Sequence, residues 1–563
     1  MKTRKAFLRG SLCLVLAVLA PACGLAQEDG HGSMRSMTLA ELAKGALRLE
    51  GLGSYHREVT TSSPEAQAFF DQGLRLLYAF NHDEAARSFA RAAELDPQCA
   101  LCFWGISFAL GPNYNMVLLP DRAAAAWEAA QKAAALRAKA SPAEQALIDA
   151  LQKRYKGPEP LDPPAQQPFS EAFAAAMREA AGRFPGDADV QTLTAESMMD
   201  LNPWKLWAND GQPAPGTEEI VARLEKVLAE HPDHPGANHY YVHAVEASKA
   251  PGRATAAADR LQGMMPAAGH LEHMPAHVYQ RVGRYADASE ANRRGAAADA
   301  AYVAQAKPSG YYAPMYYSHN HAFLAYSAAM EGRGREAVEA AEASARVVEQ
   351  SPEMLDMMPG MDFYLSFPVL AKVRFGRWDD LLDDAPPRSD WKVLNGLWHF
   401  GRGMALCGTG KPDAAAAELQ ILTQIAAEVP PDLPAGYNTA RDILGLATRL
   451  LEGEVARKQG KIEAALAAFE DAVQGEDRLS YDEPSDWFYP VRHHLGAALL
   501  TAGRAADAEA VFRADLERNP ANGWALFGLE QALTAQKKET SEVNAQLAKA
   551  WARADVKLTA AVF

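Results

Sequence analysis

One spacing constrains this chain before anything else does. Phe69, Gly73, Leu76, Ala85, Phe89, Ala92 and Pro97 fall at the positions expected of a helix-turn-helix unit about 34 residues long. Small Gly73 and Ala85 let two antiparallel helices approach, aromatic side chains fill the gap between them, and Pro97 ends the second helix. One such hairpin buries too little to stand alone, so neighbours must stack into a continuous core. Length agrees, because 563 residues exceed what one ordinary core organises.

The pattern returns near the C-terminus as Leu495, Gly496, Gly503, Ala508, Phe512 and Pro520. Between these ends, turn signals at Gly283-Arg284-Tyr285, Gly332-Arg333, Gly376-Arg377-Trp378, Gly410-Lys411 and Gly460-Lys461 each separate two helical stretches. These units resemble the tetratricopeptide repeat. The resemblance implies an all-α fold, an α-solenoid wound as a right-handed superhelix of helical hairpins, with the first helix of each unit facing a concave groove. Strings such as Cys99-Ala100-Leu101-Cys102-Phe103-Trp104-Gly105, Gly111-Pro112-Asn113-Tyr114-Asn115, His273-Met274-Pro275-Ala276-His277 and Trp487-Phe488-Tyr489-Pro490 are similar to those of a group of exported bacterial proteins with these repeats. No activity comes with that resemblance.

The expected organisation is a signal peptide over 1–26, a tether over 27–63, repeats over 64–200, a histidine-rich middle over 201–345, further repeats over 346–537 and a capping helix over 538–563. The stretches 157–168 and 202–216 are the expected irregular loops. Lys2, Arg4, Lys5 and Arg9 precede an apolar run from Leu12 to Ala20 and then small residues, the three-part layout of a secretory signal. That run is too short to span a bilayer. Cleavage after Ala26 gives a soluble periplasmic or secreted protein. Cleavage after Ala22 would leave Cys23 first and open to a lipid anchor, although Pro21 suits that signal poorly. In an oxidising compartment Cys99 and Cys102 are candidates for a short disulfide, with a metal or redox site as the alternative. A net charge of −15 without a basic stripe argues against nucleic acid as partner.

Seven of the fifteen histidines lie between His239 and His321. His239, His270 and His319 each stand 13 residues before a turn glycine, at Gly252, Gly283 and Gly332, so three successive units carry histidine at one position. Six residues before the same glycines stand Glu246, His277 and Tyr326, on the same helical face. Later units have Phe363, Leu397 and Pro490 at the first position, which confines the polar patch to the middle.

His239 and His243, four residues apart on a helix, put their rings about 6 Å apart and able to share an ion. His270 and His277 would be about 10 Å apart, too far for one ion, which suggests two adjacent ions or a subset of ligands. Pro275 favours a helix start, leaving His270 and His273 on the approach loop. His239, His243, His270, His273, His277, His319 and His321 are therefore the candidate ligands of one or two transition-metal ions, zinc, copper or iron. Glu246 and Glu272 are candidate ligands, imidazole-orienting acceptors or proton carriers, and Asn320, Tyr240 and Tyr326 candidate substrate contacts. Met354, Met357, Met358 and Met361 hint at copper or simply fill core.

Histidines also cap helices and satisfy buried polar groups. Absent HExxH, GxSxG, a phosphate-binding glycine loop or CxxCH, any catalysis would rest on the histidines alone. The competing expectation is a metal-free scaffold that holds a protein or peptide partner in the groove.

Overall fold

A computed structural model describes residues 37–308 and 310–563; the expected signal peptide and Cys23 lie outside the described residues. The chain is an α-solenoid of tetratricopeptide-like hairpins, with a single two-residue β-ladder, Pro434–Ala435 on Asn438–Thr439, among the described residues. In the first complete hairpin, Pro64–Tyr78 pairs with His82–Leu95. Ser63 caps it by accepting from the Ala66 amide, and Pro64 supplies a first-turn residue that needs no donor. A Cβ on Gly73 would stand 2.7 Å from the Phe89 ring and one on Gly105 2.6 Å, so Phe89 seals three helices at once. Phe512 repeats this near the C-terminus between Gly496 and Gly528.

Gly283 and Gly332 close their hairpins with φ of +76° and +70°, a conformation that glycine adopts without cost. Gly252, aligned with them by spacing, instead lies in the 3-10 turn Pro251–Ala254. Two large apolar cores run through the solenoid, one from Leu42 to Phe323 and one from Tyr285 to Ala561. They interleave between Tyr285 and Phe323, at the histidine-rich repeats.

Several boundaries differ from expectation. Residues 37–63 are a fastened segment: Leu42, Leu52 and Val59 are buried, and Arg57 binds Asp187 and Asp189 at 2.8 Å. The helix Pro163–Arg183 begins inside the stretch expected to be a loop, since Asp162 caps it and the early prolines need no donor. At the C-terminus the helix is Ser541–Ala550, and the tail beyond it packs onto the second core, burying Leu558 and Ala561, with the Asp555 amide donating to Gly332 O. No helix among the described residues is long and apolar enough to cross a membrane.

The inner face is closed rather than open. The turn at 434–439 and the segment 479–490 fold back over the middle repeats: Tyr437 stacks on Trp204 at 4.9 Å, and Asn209 Nδ2 donates to Leu479 O at 2.9 Å. Cys99 and Cys102 are joined by a disulfide at the start of the helix Ala100–Leu110, and Cys407 is free and buried.

Candidate metal centre

Three helices supply the histidines. Pro235–Glu246 carries His239, His243 and Glu246 along one face. Gly269–His273 and Pro275–Arg281 carry His270, His273 and His277. Met274 joins those two segments with φ −50° and ψ −34°, so the chain stays helical through Pro275 and neither His270 nor His273 sits on a loop. Proline loses one amide donor here, and the Met274 carbonyl still takes the His277 amide at 3.2 Å. Ser318–Met330, entered through the π-turn Ala313–Tyr317, carries His319.

Six imidazoles meet in two groups. The nitrogens of His239, His243 and His270 lie within 4.8 Å of one another, and so do those of His273, His277 and His319. His270 and His277, judged too far apart for one ion, fall into different groups. His319 does not meet His239, its equivalent by spacing; it faces His273 at 3.2 Å between Nε2 atoms. His239 through His277 are at most 3% exposed.

The outward nitrogens are tied down. His239 Nδ1–H donates to Tyr78 O at 2.6 Å, and His243 Nδ1–H donates to Glu246 Oε1 at 2.8 Å. His277 Nδ1–H donates to Glu246 Oε2 at 2.5 Å, and His273 Nδ1–H donates to Asn292 Oδ1 at 2.6 Å. Asn292 presents oxygen rather than nitrogen because its amide donates to Ala288 O at 2.9 Å. Carbonyls and carboxylates only accept, so each of these four rings is protonated on Nδ1 and turns a bare Nε2 lone pair inward. His239 and His243 leave that Nε2 without a partner, and both ring nitrogens of His270 are without one. His273 Nε2 and His277 Nε2 face each other at 2.7 Å.

Two lone pairs at that distance repel unless a positive charge lies between them. A proton is disfavoured there, since burial first, and then neighbouring imidazoles, hold His270 and His273 well below the usual histidine range. Burial also lowers His277, against the pull of Glu246, and takes His319 down to about 3. Burial opposes ionisation of Glu246, but His277 and His243 overcome it and hold this carboxyl well below its ordinary value.

Aromatic rings wall the groups. Phe80 packs on His239 at 4.4 Å and stacks on His270 at 5.5 Å, while Phe323 stacks on His277 at 4.8 Å. Beside the histidines lies a cavity of about 140 Å³, reached by His243, His270, His277 and His319. Trp204, Tyr316, Tyr437, Met358, Met361, Asp482 and Asp486 also line it.

Other expected residues lie elsewhere. His321 packs on Tyr317 at 4.9 Å, on the far side of its helix. Glu272 turns away and accepts from the Gly263 amide at 2.8 Å and from Arg294 Nε at 3.0 Å. Asn320 donates to Asp299 Oδ2 at 2.7 Å, Tyr326 donates to Asn519 Oδ1 at 3.4 Å, and Tyr240 packs between Tyr78 and Phe80. Met354 belongs to a small separate core and Met357 is half exposed. Sequence reasoning missed Tyr78, Asn292, Phe80, Asp482 and Asp486. The string Asp482-Glu483-Pro484-Ser485-Asp486, three acids around a proline, was the one available signal for the last two.

Helices and site together define an all-α helical-repeat protein with a buried imidazole cluster at mid-array. No family model matches the chain, and no curated protein is similar enough to match it. Among solved structures it is similar to the Cut9-Hcn1 hetero-tetramer of the APC/C, at 13% identity and TM-score 0.31 over 89% of this chain and 79% of that one. It is also similar to the human IFIT1 dimer with m7Gppp-AAAA, at 11% identity and TM-score 0.30 over 88% and 95% of the two chains. Yeast Tom70 is similar at 12% identity and TM-score 0.24, over 87% and 92%. Superpositions this loose carry no argument, and the fold rests on the chain's own hairpins.

Proposed function

We propose that this protein holds one or two divalent transition-metal ions in its histidine groups, where they act on a small molecule admitted to the adjoining cavity. The observation that carries this reading is the set of bare Nε2 atoms turned inward, with His273 and His277 only 2.7 Å apart. Neutral imidazoles oriented by carbonyl and carboxylate acceptors are the donor set that zinc, copper or iron selects over magnesium or calcium. In a tetrahedral site with metal–nitrogen bonds near 2.0–2.1 Å, ligand nitrogens stand about 3.3 Å apart. His273 and His319 already stand 3.2 Å apart, and His273 and His277 must part by roughly half an ångström to accept an ion. A bound ion would polarise a ligand in the cavity or lower the pKa of its water. The basic and apolar start of the sequence supports export, and the Cys99–Cys102 disulfide suits an oxidising compartment.

Elemental analysis of untagged protein tests the reading. Stoichiometric metal is expected, with His239→Ala emptying one group and His277→Ala the other. Metal-free protein whose melting temperature ignores added zinc, copper and iron would sink it. A protein or peptide partner has a different place to go. The histidine face is covered, whereas a polar cleft of about 770 Å³ lined by Trp207, Arg281, Tyr326 and Glu476 opens beside it.

A further inference from the structure

Besides its imidazoles the cavity is lined by sulfur. Met358, Met361, Met315 and Met116 all border it. The first three also pack in one small core, so these side chains are gathered rather than scattered. Met358 and Met361 stand three residues apart across Pro359-Gly360. Gly360 has a φ of +86°, and a Cβ on it would run into Pro434 O, so this turn is pressed onto the cover at 434–439. Met354 and Met357, from the same run, do not border the cavity. Among the described residues no lysine or arginine lines it, whereas Asp482, Glu483 and Asp486 do. Asp482, whose Oδ1 takes the Glu483 amide at 2.7 Å, gives its proton to Asp486. Asp486 Oδ2 also accepts from the Tyr437 amide at 3.0 Å and from Asn438 Nδ2 at 2.7 Å. Burial pushes Asp486 up to about 6 against these donors, so the pair shares one proton and keeps one negative charge at neutral pH. Glu483 adds none, because burial holds it well above the ordinary range while Gln280 and Tyr481 donate to it. His243 and His270, 2% and 3% exposed, line the same cavity with Nε2 unpartnered.

We propose that Met358 and Met361, with Met315 and the unpartnered imidazoles that share the cavity, form a site for a soft monovalent transition ion of the copper(I) class. Thioether sulfur is a soft, uncharged donor that copper(I) accepts, whereas magnesium and calcium select oxygen and zinc takes imidazole. Charge agrees, since one positive ion balances the single negative charge of the acidic pair in a cavity without other cations. Methionine supplies the adjustment: its unbranched chain has three rotatable bonds and can close on an ion. An ion takes a small part of about 140 Å³, so the small molecule invoked above still has room. This site differs from the histidine groups in the ion it selects and does not rest on their being filled.

Silver(I), a redox-silent stand-in for copper(I), is the probe. It is titrated into the full-length protein, isotope-labelled at its methionine methyl groups, as wild type, Met358→Leu and Met361→Leu, with the methyl signals followed by NMR and zinc uptake measured in parallel. Leucine nearly conserves the volume and removes the sulfur, so the fold is retained. Met357, half exposed on the same run, is the internal reference, and silver lost to cysteine thiols affects every methyl signal alike. The Met358 and Met361 signals should move together at about a tenth of the silver that moves Met357, and either leucine should weaken the response of the remaining partner about tenfold or more. Zinc uptake should stay at its wild-type value. Signals that move no earlier than Met357, or a partner indifferent to leucine, overturn the inference and leave the histidine reading standing. Leucine variants that lose zinc as well make these residues supports of the histidine groups and also overturn it. Silver held here by a protein that takes up no zinc supports this site and sinks the histidine reading.

Discussion

Glu246 joins the two histidine groups because a carboxylate has two oxygens and each takes one imidazole, His243 on one side and His277 on the other. Glutamine at that position keeps the shape but offers only one acceptor, and its amide would face the other Nδ1–H. Glu246→Gln should therefore weaken metal binding in one group by about 10–100-fold while largely sparing the other. Competition against a chelating dye would resolve the two affinities; if both stay at wild-type values, the carboxylate does not orient the rings. His82 gives a separate residue-scale test. It is 6% exposed, stacked on Phe80 at 5.4 Å, and neither ring nitrogen has a partner. Burial first, and then Arg122 and Arg154, take it from 6.5 down to about 3. Below pH 6.5 the unfolded chain binds a proton that the folded one refuses, so this residue costs stability as pH falls from 6.5 toward 3. In denaturant midpoints, His82→Phe should gain on wild type steadily between pH 6.5 and 4; a constant difference would show that His82 is protonated in place. The candidate ligands were legible at this scale because histidine is scarce and its spacing repeated. Of their acceptors Glu246 was legible as well, whereas Asn292 was not, nor was Tyr78, which contributes a backbone oxygen that any residue type has.

At the scale of elements, the hairpin spacing identified the helices, and the exceptions occur where proline or a neighbour overrode a local rule. Pro275 does start a helix, Pro275–Arg281, but the stretch before it, Gly269–His273, is helical too rather than a loop, because packing on Tyr285–Ala306 holds both flanks of the proline helical. That packing is close. A Cβ on Gly295 would stand 2.8 Å from Gly269 O and 2.9 Å from His273 Cβ. Gly295→Ala must push the helix bearing His270 and His273 away from its neighbour, with a destabilisation of about 1–3 kcal/mol expected for overpacking. Thermal melts should show the loss, and metal affinity should drop with it because ligand positions move. Alanine tolerated with unchanged affinity would mean that the histidine helix is not held by this crossing. Register across units misled in one respect: His319 matches His239 and His270 in spacing, yet its helix is entered through a π-turn and its ring faces His273. Distance from a turn glycine sets a residue's face, not the neighbour it meets.

The whole molecule adds what no local pattern encodes, a solenoid whose late segments return to cover its middle. Helical periodicity specifies hairpins one at a time, and curvature accumulates from small offsets between them. Closure brings Trp204 against Tyr437, residues more than two hundred positions apart, and narrows a groove expected to hold a peptide to a partly covered cavity. Tyr437 is the keystone of that cover: its ring stacks on Trp204 at 4.9 Å and its amide donates to Asp486. Tyr437→Ala removes the ring and leaves the amide, so it should open the cavity without unseating the acidic pair or unfolding the helices. The expected signature is a severalfold faster loss of bound metal to an external chelator, with equilibrium metal content and far-ultraviolet circular dichroism unchanged. Truncation of a large exposed apolar side chain away from the cover, Ile421→Ala, should leave the extraction rate at its wild-type value. If Tyr437→Ala loses metal no faster than wild type, the return of the late segments is not what shields the centre. Chelator access would then have to run through another wall, with the first candidate the boundary at Asp482 and Glu483 that the cavity shares with the outer cleft.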